Sequence, residues 1–287
     1  MFKYIARIFG YLLNHIYSSV NNYGVAIIIF TILLKIVMLP ISINQQKSLK
    51  KNAKMQEKVK EIEEKYKNDK TRQSQELMDL YKKENMNPFS GCLSTILQFV
   101  IILSIFYLVS SPLTYMKNVD PELLNNYETM IKEESGENLR YREIAIIRRM
   151  GKEDERVNLN MNFLGLDLSD VPTQNASNIK DYIIPALYVL TSFVSMKLTN
   201  NLNKKPENKS EEKEIKENVE EKALTTKKDD EIAMDEMSKQ MNIMMPFMTV
   251  SIALIAPLGL ALYWFVSNLL MIFERLIISK IFKEGEE

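Results

Sequence analysis

Lys35 interrupts an otherwise apolar run, GVAIIIFTILLKIVMLPISI over residues 24–43. It lies about eleven residues into the run, roughly 16 Å at about 1.5 Å per residue. That depth is close to the centre of a hydrocarbon layer about 30 Å thick. A lysine there costs around 3 kcal/mol on insertion scales, so something must offset it. Water in a cavity or polar neighbours could do so, and so could a side chain that snorkels to the headgroups. Polar neighbours exist. Thr31 lies four residues earlier, on the same helical face. Thr95 and Gln98 are three apart in a second apolar run, and Tyr263, Ser267 and Asn268 make a polar stripe in the last one. Singly, such residues serve as hydrogen bonds between helices in the bilayer. Gathered around Lys35, they could line a wet groove.

Other residues have plainer alternatives. Met241, Met244, Met245 and Met248 recur at helical spacing, either as ordinary packing or as a pliable apolar surface that accepts many partners. Trp264 has an amphipathic ring suited to packing or membrane anchoring. The single cysteine, Cys92, excludes an intrachain disulfide, and the single histidine, His15, gives no basis for a Cys/His metal site. Histidine-dependent serine catalysis would fall on His15, which has no matching nucleophile motif. Formal net charge is zero over 287 residues, so composition gives no reason to expect nucleic-acid reading. No Gly-rich phosphate loop is present. The expectation is a non-enzymatic protein with no cofactor and no metal.

These residues need elements to position them. Hydrophobic residues make up 46% of the chain and charged residues 26%, and the two kinds are segregated along it. The pattern predicts an all-α polytopic membrane protein with five transmembrane helices, at 24–43, 89–111, 182–199, 241–256 and 257–275. Residues 1–23 are amphipathic, with Ile5, Ile8, Phe9, Leu12, Leu13 and Ile16 at helical spacing; this fits an interfacial helix, with a cleaved signal peptide as the rival. Residues 44–88 read as a charged helical hairpin whose arms meet through Met55, Val59, Ile62 and Tyr66, then Leu77, Leu80, Tyr81 and Met86. Residues 112–181 form an outer loop with a helical insert at about 128–150 and the ordered turn NMNFLGLDLSDVP. Residues 200–240 are rich in Lys, Glu and Asn and bury little; 276–287 form a tail. Lys47, Lys50, Lys51 and Lys54 crowd the exit of the first span, whereas Lys117 stands nearly alone after the second. The positive-inside rule then puts the hairpin, Lys280 and Lys283 in the cytoplasm and the N-terminus outside, with Lys3 and Arg7 weakly opposed.

An intramembrane cation, a cytoplasmic helical hairpin, and NPFSGCLSTILQF opening the second span together resemble the YidC family of membrane protein insertases (Oxa-type superfamily), in its Gram-positive-like form. So do MNFLGLDLSDVP, QMNIMMPFM, and the closing PLGLALYWFVSN. The similarity covers about residues 20–110 and 160–282. It implies five spans around a hydrophilic groove that opens to the cytoplasm and to lipid and is sealed outside. It also implies nascent membrane-protein clients and a site in the bacterial plasma membrane, with the ribosome and the Sec translocon as partners. On this reading the substrate groove comprises Lys35, Thr31, Gln98, Thr95, Tyr263 and Ser267. The family usually places arginine where this chain has Lys35, its outer loop is shorter, and many Gram-positive relatives carry an N-terminal lipoprotein cysteine that is absent here.

The physical role is a lowered barrier. A polar tail crossing hydrocarbon loses hydration that nothing replaces. A wet groove shortens the dry path, and the cation attracts tail carboxylates. Partitioning of the client's apolar helix supplies the driving force without a nucleotide. A small-solute transporter is the rival from another class, since it too can hold a charge at mid-membrane. Transporters often repeat their halves, and spans one to three do not recur in four and five. A structural translocon subunit is the third reading.

Overall fold

The computed structural model describes residues 2–84, 90–135, 140–174, 178–203 and 250–284; within these, the side chains of residues 46, 48–57, 60, 90–95, 98, 199–203 and 279–284 are outside the description. The charged segment after residue 203, most of the expected fourth span with its four methionines, and the end of the hairpin with Met86 therefore lie outside the described residues. Among the described residues, three stretches are long and apolar enough to cross a membrane: Tyr23–Gln45, Ile179–Leu198 and Leu258–Ile278. Phe99–Ser110 is a shorter apolar helix.

Helix α1 (Phe2–Val20) ends where Asn21 takes a positive φ of 47°. Asn22 then caps α2 (Tyr23–Lys65), its side chain accepting from the Val25 amide at 3.0 Å. The α2 helix runs unbroken through Pro40 for 43 residues, about twice what a bilayer core needs. The expected boundary at residue 44 is therefore no break in structure. One proline removes one donor, and the Lys-, Glu- and Gln-rich stretch beyond it favours helix. Helix α3 (Lys70–Lys83), capped by Asp69, folds back on the far end of α2. Tyr66 Oη donates to Glu76, Gln73 donates to the Glu63 carbonyl, and Lys58 pairs with Glu84. No residue of α3 is fully buried, but Val59, Ile62 and Tyr66 of the first arm and Leu77, Leu80 and Tyr81 of α3 are half-buried.

Helix α4 (Ser90–Ser110) leads into the short α5 (Pro112–Tyr115), and the chain continues with α6 (Pro121–Ser135) and α7 (Arg142–Met150). The single helical insert expected at about 128–150 is thus two helices, α6 and α7. Leu124, Ile131, Ile144, Ile146 and Ile147 bury their side chains in a core continuous with the membrane helices. The all-α expectation also misses a small antiparallel ladder, β1 (Asn162–Phe163) with β2 (Leu166–Asp167), closed by Leu164 and Gly165 at positive φ. A 3-10 turn at Ile179–Tyr182 opens α8 (Ile183–Asn203). After a helical stretch at 250–255, Pro257 precedes α9 (Leu258–Glu284).

Three long helices start at one level and run parallel. The Tyr188–Trp264 and Ser192–Asn268 contacts share an offset of 76 residues, which aligns α8 with α9. Gly259 lies against Tyr23 and Lys35 meets Glu274, which aligns α2 with α9. Their shared end is closed by residues 160–170. The Tyr23 amide donates to Asn160 O, Leu258 N to Asp170 O, and Gly259 N to Leu168 O. Helix N-termini leave amides without intrahelical partners, and in a bilayer such groups must be satisfied by protein; the loop's carbonyls do that here. Gly24 lets the loop come close, since a Cβ there would sit 2.5 Å from the Phe163 ring. Arg148 ties α7 to the same loop, pairing with Asp170 at 2.7 Å and donating to Ser169 O.

Candidate functional site

The helices pack tightly near the closed end and separate below it. Tyr23, Ala26, Ile27, Phe30 and Thr31 of α2 and Leu258, Leu260, Ala261 and Leu262 of α9 are all buried. One turn further, a cavity of about 350 Å³ opens between α2, α4, α8 and α9. Thr31, Lys35, Ser42 and Gln45 line it from α2, and Tyr263, Ser267 and Asn268 from α9. Tyr188 and Trp264 form one wall, their rings 5.6 Å apart. Leu34, Met38, Leu97, Ile101, Ile102 and Met271 supply the apolar lining. The arrangement is an apolar trough with a polar strip along two helices and, among the described residues, the cation of Lys35 in it.

Four of the six expected groove residues, Lys35, Thr31, Tyr263 and Ser267, meet in this cavity. Thr95 and Gln98 sit on α4, and their side chains lie outside the described residues. Two of the four have committed hydroxyls. Thr31 Oγ1 donates to the Ile27 carbonyl at 2.6 Å, and Tyr263 is buried with its hydroxyl hydrogen-bonded to Ser267 one turn on. Asn268 donates to Ser192 Oγ at 2.6 Å and joins α8 to α9. These groups shape the trough with their polar atoms already partnered.

Lys35 is different. Its Nζ lies 3.4 Å from Glu274 Oε2, with side-chain exposures of 24% and 9%. The carboxylate answers part of the desolvation cost that a mid-membrane lysine carries. Sequence reasoning missed Glu274, though a signal was present. Tyr263, Ser267 and Glu274 stand at i, i+4 and i+11, within one helical face. The residue falls in FERL at the end of an apolar run, where a charged pair reads as a span boundary. Ser42, Gln45 and Tyr188 are further lining residues that the sequence did not single out.

A family model described as "60Kd inner membrane protein" matches residues 15–285. The chain belongs to this family. Among similar relatives, the membrane protein insertase YidC of Granulibacter bethesdensis is 43% identical over 108 residues, covering 38% of this chain and 19% of the relative. The insertase YidC of Wigglesworthia glossinidia brevipalpis is 42% identical over 107 residues, 37% of this chain and 20% of that one. The YidC of Francisella tularensis subsp. novicida is 36% identical over 109 residues, 38% and 20% of the two chains. The chain thus spans about a fifth of the length of the curated relatives it matches.

Proposed function

We propose that this family member is a membrane protein insertase and folding chaperone, working alone or with the Sec translocon. The observation that carries the reading is a cation on the wall of a half-polar cavity, between three parallel helices closed at one end. A client's polar tail enters the cavity from the open end and meets Lys35. Its apolar helix leaves sideways into lipid. The outward faces of α2 and α4, with Ile32, Leu33, Ile36, Val37, Ile96 and Phe99 exposed, suit contact with hydrocarbon on both sides of that exit. Membrane-protein clients follow from the relatives' name; ribosome and Sec docking are parts of the proposal that the YidC resemblance suggests, as is the Gram-positive-like form.

The five-span count belongs to the same proposal. Three helices that start at one level need two return crossings, and α4 and the segment ending at 250–255 are the available ones. The positive-inside rule then puts the closed end outside, the α2–α3 hairpin and C-terminus in the cytoplasm, and the N-terminus outside. The groove residues are Lys35, Thr31, Gln98, Thr95, Tyr263 and Ser267, with Lys35 the recognising charge.

The test is reconstitution of the purified chain into liposomes with a single-span client. Protease protection of the client's translocated tail is the expected result. Movement of a small solute through client-free vesicles, with no client insertion, would carry the transporter reading. Insertion only when the translocon is added would carry the structural-subunit reading.

A further inference from the structure

We propose that Glu274 is the resting counter-ion of Lys35, and that a client carboxylate reaches this cation only by exchanging for it, so that Glu274 sets how acidic a client tail must be. The inference deepens the insertase reading and rests on it.

The pair joins residues 239 positions apart, on α2 and α9. Its single contact at 3.4 Å is long beside the roughly 2.7–2.9 Å of a tight charge-assisted hydrogen bond. Lys35 therefore holds a carboxylate without saturating its three donors. Lys35 lines the cavity and Glu274 does not. A carboxylate arriving through the cavity thus approaches the ammonium from the side its partner leaves open. Exchange needs no bare intermediate, because Lys35 can hold both carboxylates before releasing one.

The displaced Glu274 also has somewhere to turn. Arg275 interacts with it electrostatically, and Arg275 Nη1 is buried with no hydrogen-bond partner among the described residues. A second cation beside the released carboxylate lowers the cost of giving up Lys35. A tail without acids has nothing to exchange and gains nothing from Lys35. A tail with one acid must compete with Glu274, and a tail with two competes better.

The experiment uses the full chain in liposomes and one client bearing zero, one or two tail acids. The readout is the ratio of one-acid to zero-acid insertion within each protein, which cancels differences in folded amount. Glu274→Gln removes the competitor, so this ratio should rise by up to about fivefold, the top of the range expected of a partly exposed ion pair. Glu274→Asp keeps the charge on a shorter arm and should raise the ratio by less. If wild type inserts the clients and both variants leave its ratio unchanged or lower it, the counter-ion proposal is wrong while the insertase reading stands. If wild type inserts no client at all, it is the insertase reading that fails.

Discussion

At the scale of single residues, a buried charge is best understood through its partner. Lys35→Met alone leaves the Glu274 carboxylate at 9% exposure with only Arg275 beside it, so it should destabilise the protein by on the order of 2 kcal/mol. Adding Glu274→Gln should restore stability to within about 1 kcal/mol of wild type. Unfolding of the three proteins in detergent checks this; equal stability of the single and double variants would remove the pair from the account. Glu143 makes a second case, outside the membrane helices. It is buried, accepting from Thr114 N at 2.9 Å and from Thr114 Oγ1 at 2.6 Å. Burial pushes its carboxyl above the usual range, against those hydrogen bonds. The folded state then binds the proton more tightly than the unfolded one. This group's contribution is full below the unfolded value and is lost as pH rises through the folded one. Protection of the α7 amides should therefore fall as pH rises above the ordinary carboxylate range, after correction for intrinsic exchange, and Glu143→Gln should flatten that fall. An equal slope in the variant would assign the dependence elsewhere. The site was legible in the sequence as far as helical spacing carried it: Lys35 with Thr31, and Tyr263 with Ser267. The pairing across helices was not, because spacing describes one helix at a time.

At the scale of elements, the helix α1 shows why a membrane protein hides its packing. Its apolar stripe by spacing includes Ile8 and Leu12, yet both are exposed in the fold, along with Tyr4 and Tyr11. The packed face holds Ala6, Gly10, Leu13 and Ile16. Hydrocarbon outside and core inside are equally apolar, so hydrophobicity cannot choose a face; small residues can, because they let backbones approach. Gly10 lies so near α5 that an added Cβ would sit 1.9 Å from the Tyr115 carbonyl oxygen. Gly10→Ala should cost about 1–3 kcal/mol, while Ile8→Ala should cost less than half of that. Detergent unfolding ranks the two, and the reverse order would mean that α1 packs by its apolar stripe. The segment after α5 was legible as helix, but its division into α6 and α7 was not. Its order comes from contacts distant in sequence, such as Arg148 with Asp170 and Tyr17 Oη with the Asn160 amide.

At the scale of the whole molecule, one end is sealed by backbone hydrogen bonds and the other opens on a charged trough. That asymmetry gives a direction to anything that enters. The central claim is that a client's polar tail occupies the trough while its apolar helix meets lipid beside it. Met38 and Val37 are neighbours on α2 at nearly the same depth. Met38 lines the cavity, and Val37 faces away with 66% exposure. The most direct measurement places a photoreactive side chain at each position in turn and maps which part of an inserting client is captured. Capture of the polar tail from position 38, and of the apolar helix only from position 37, is the predicted result. Equal capture of the tail from both positions, or stronger capture from 37, would contradict the claim.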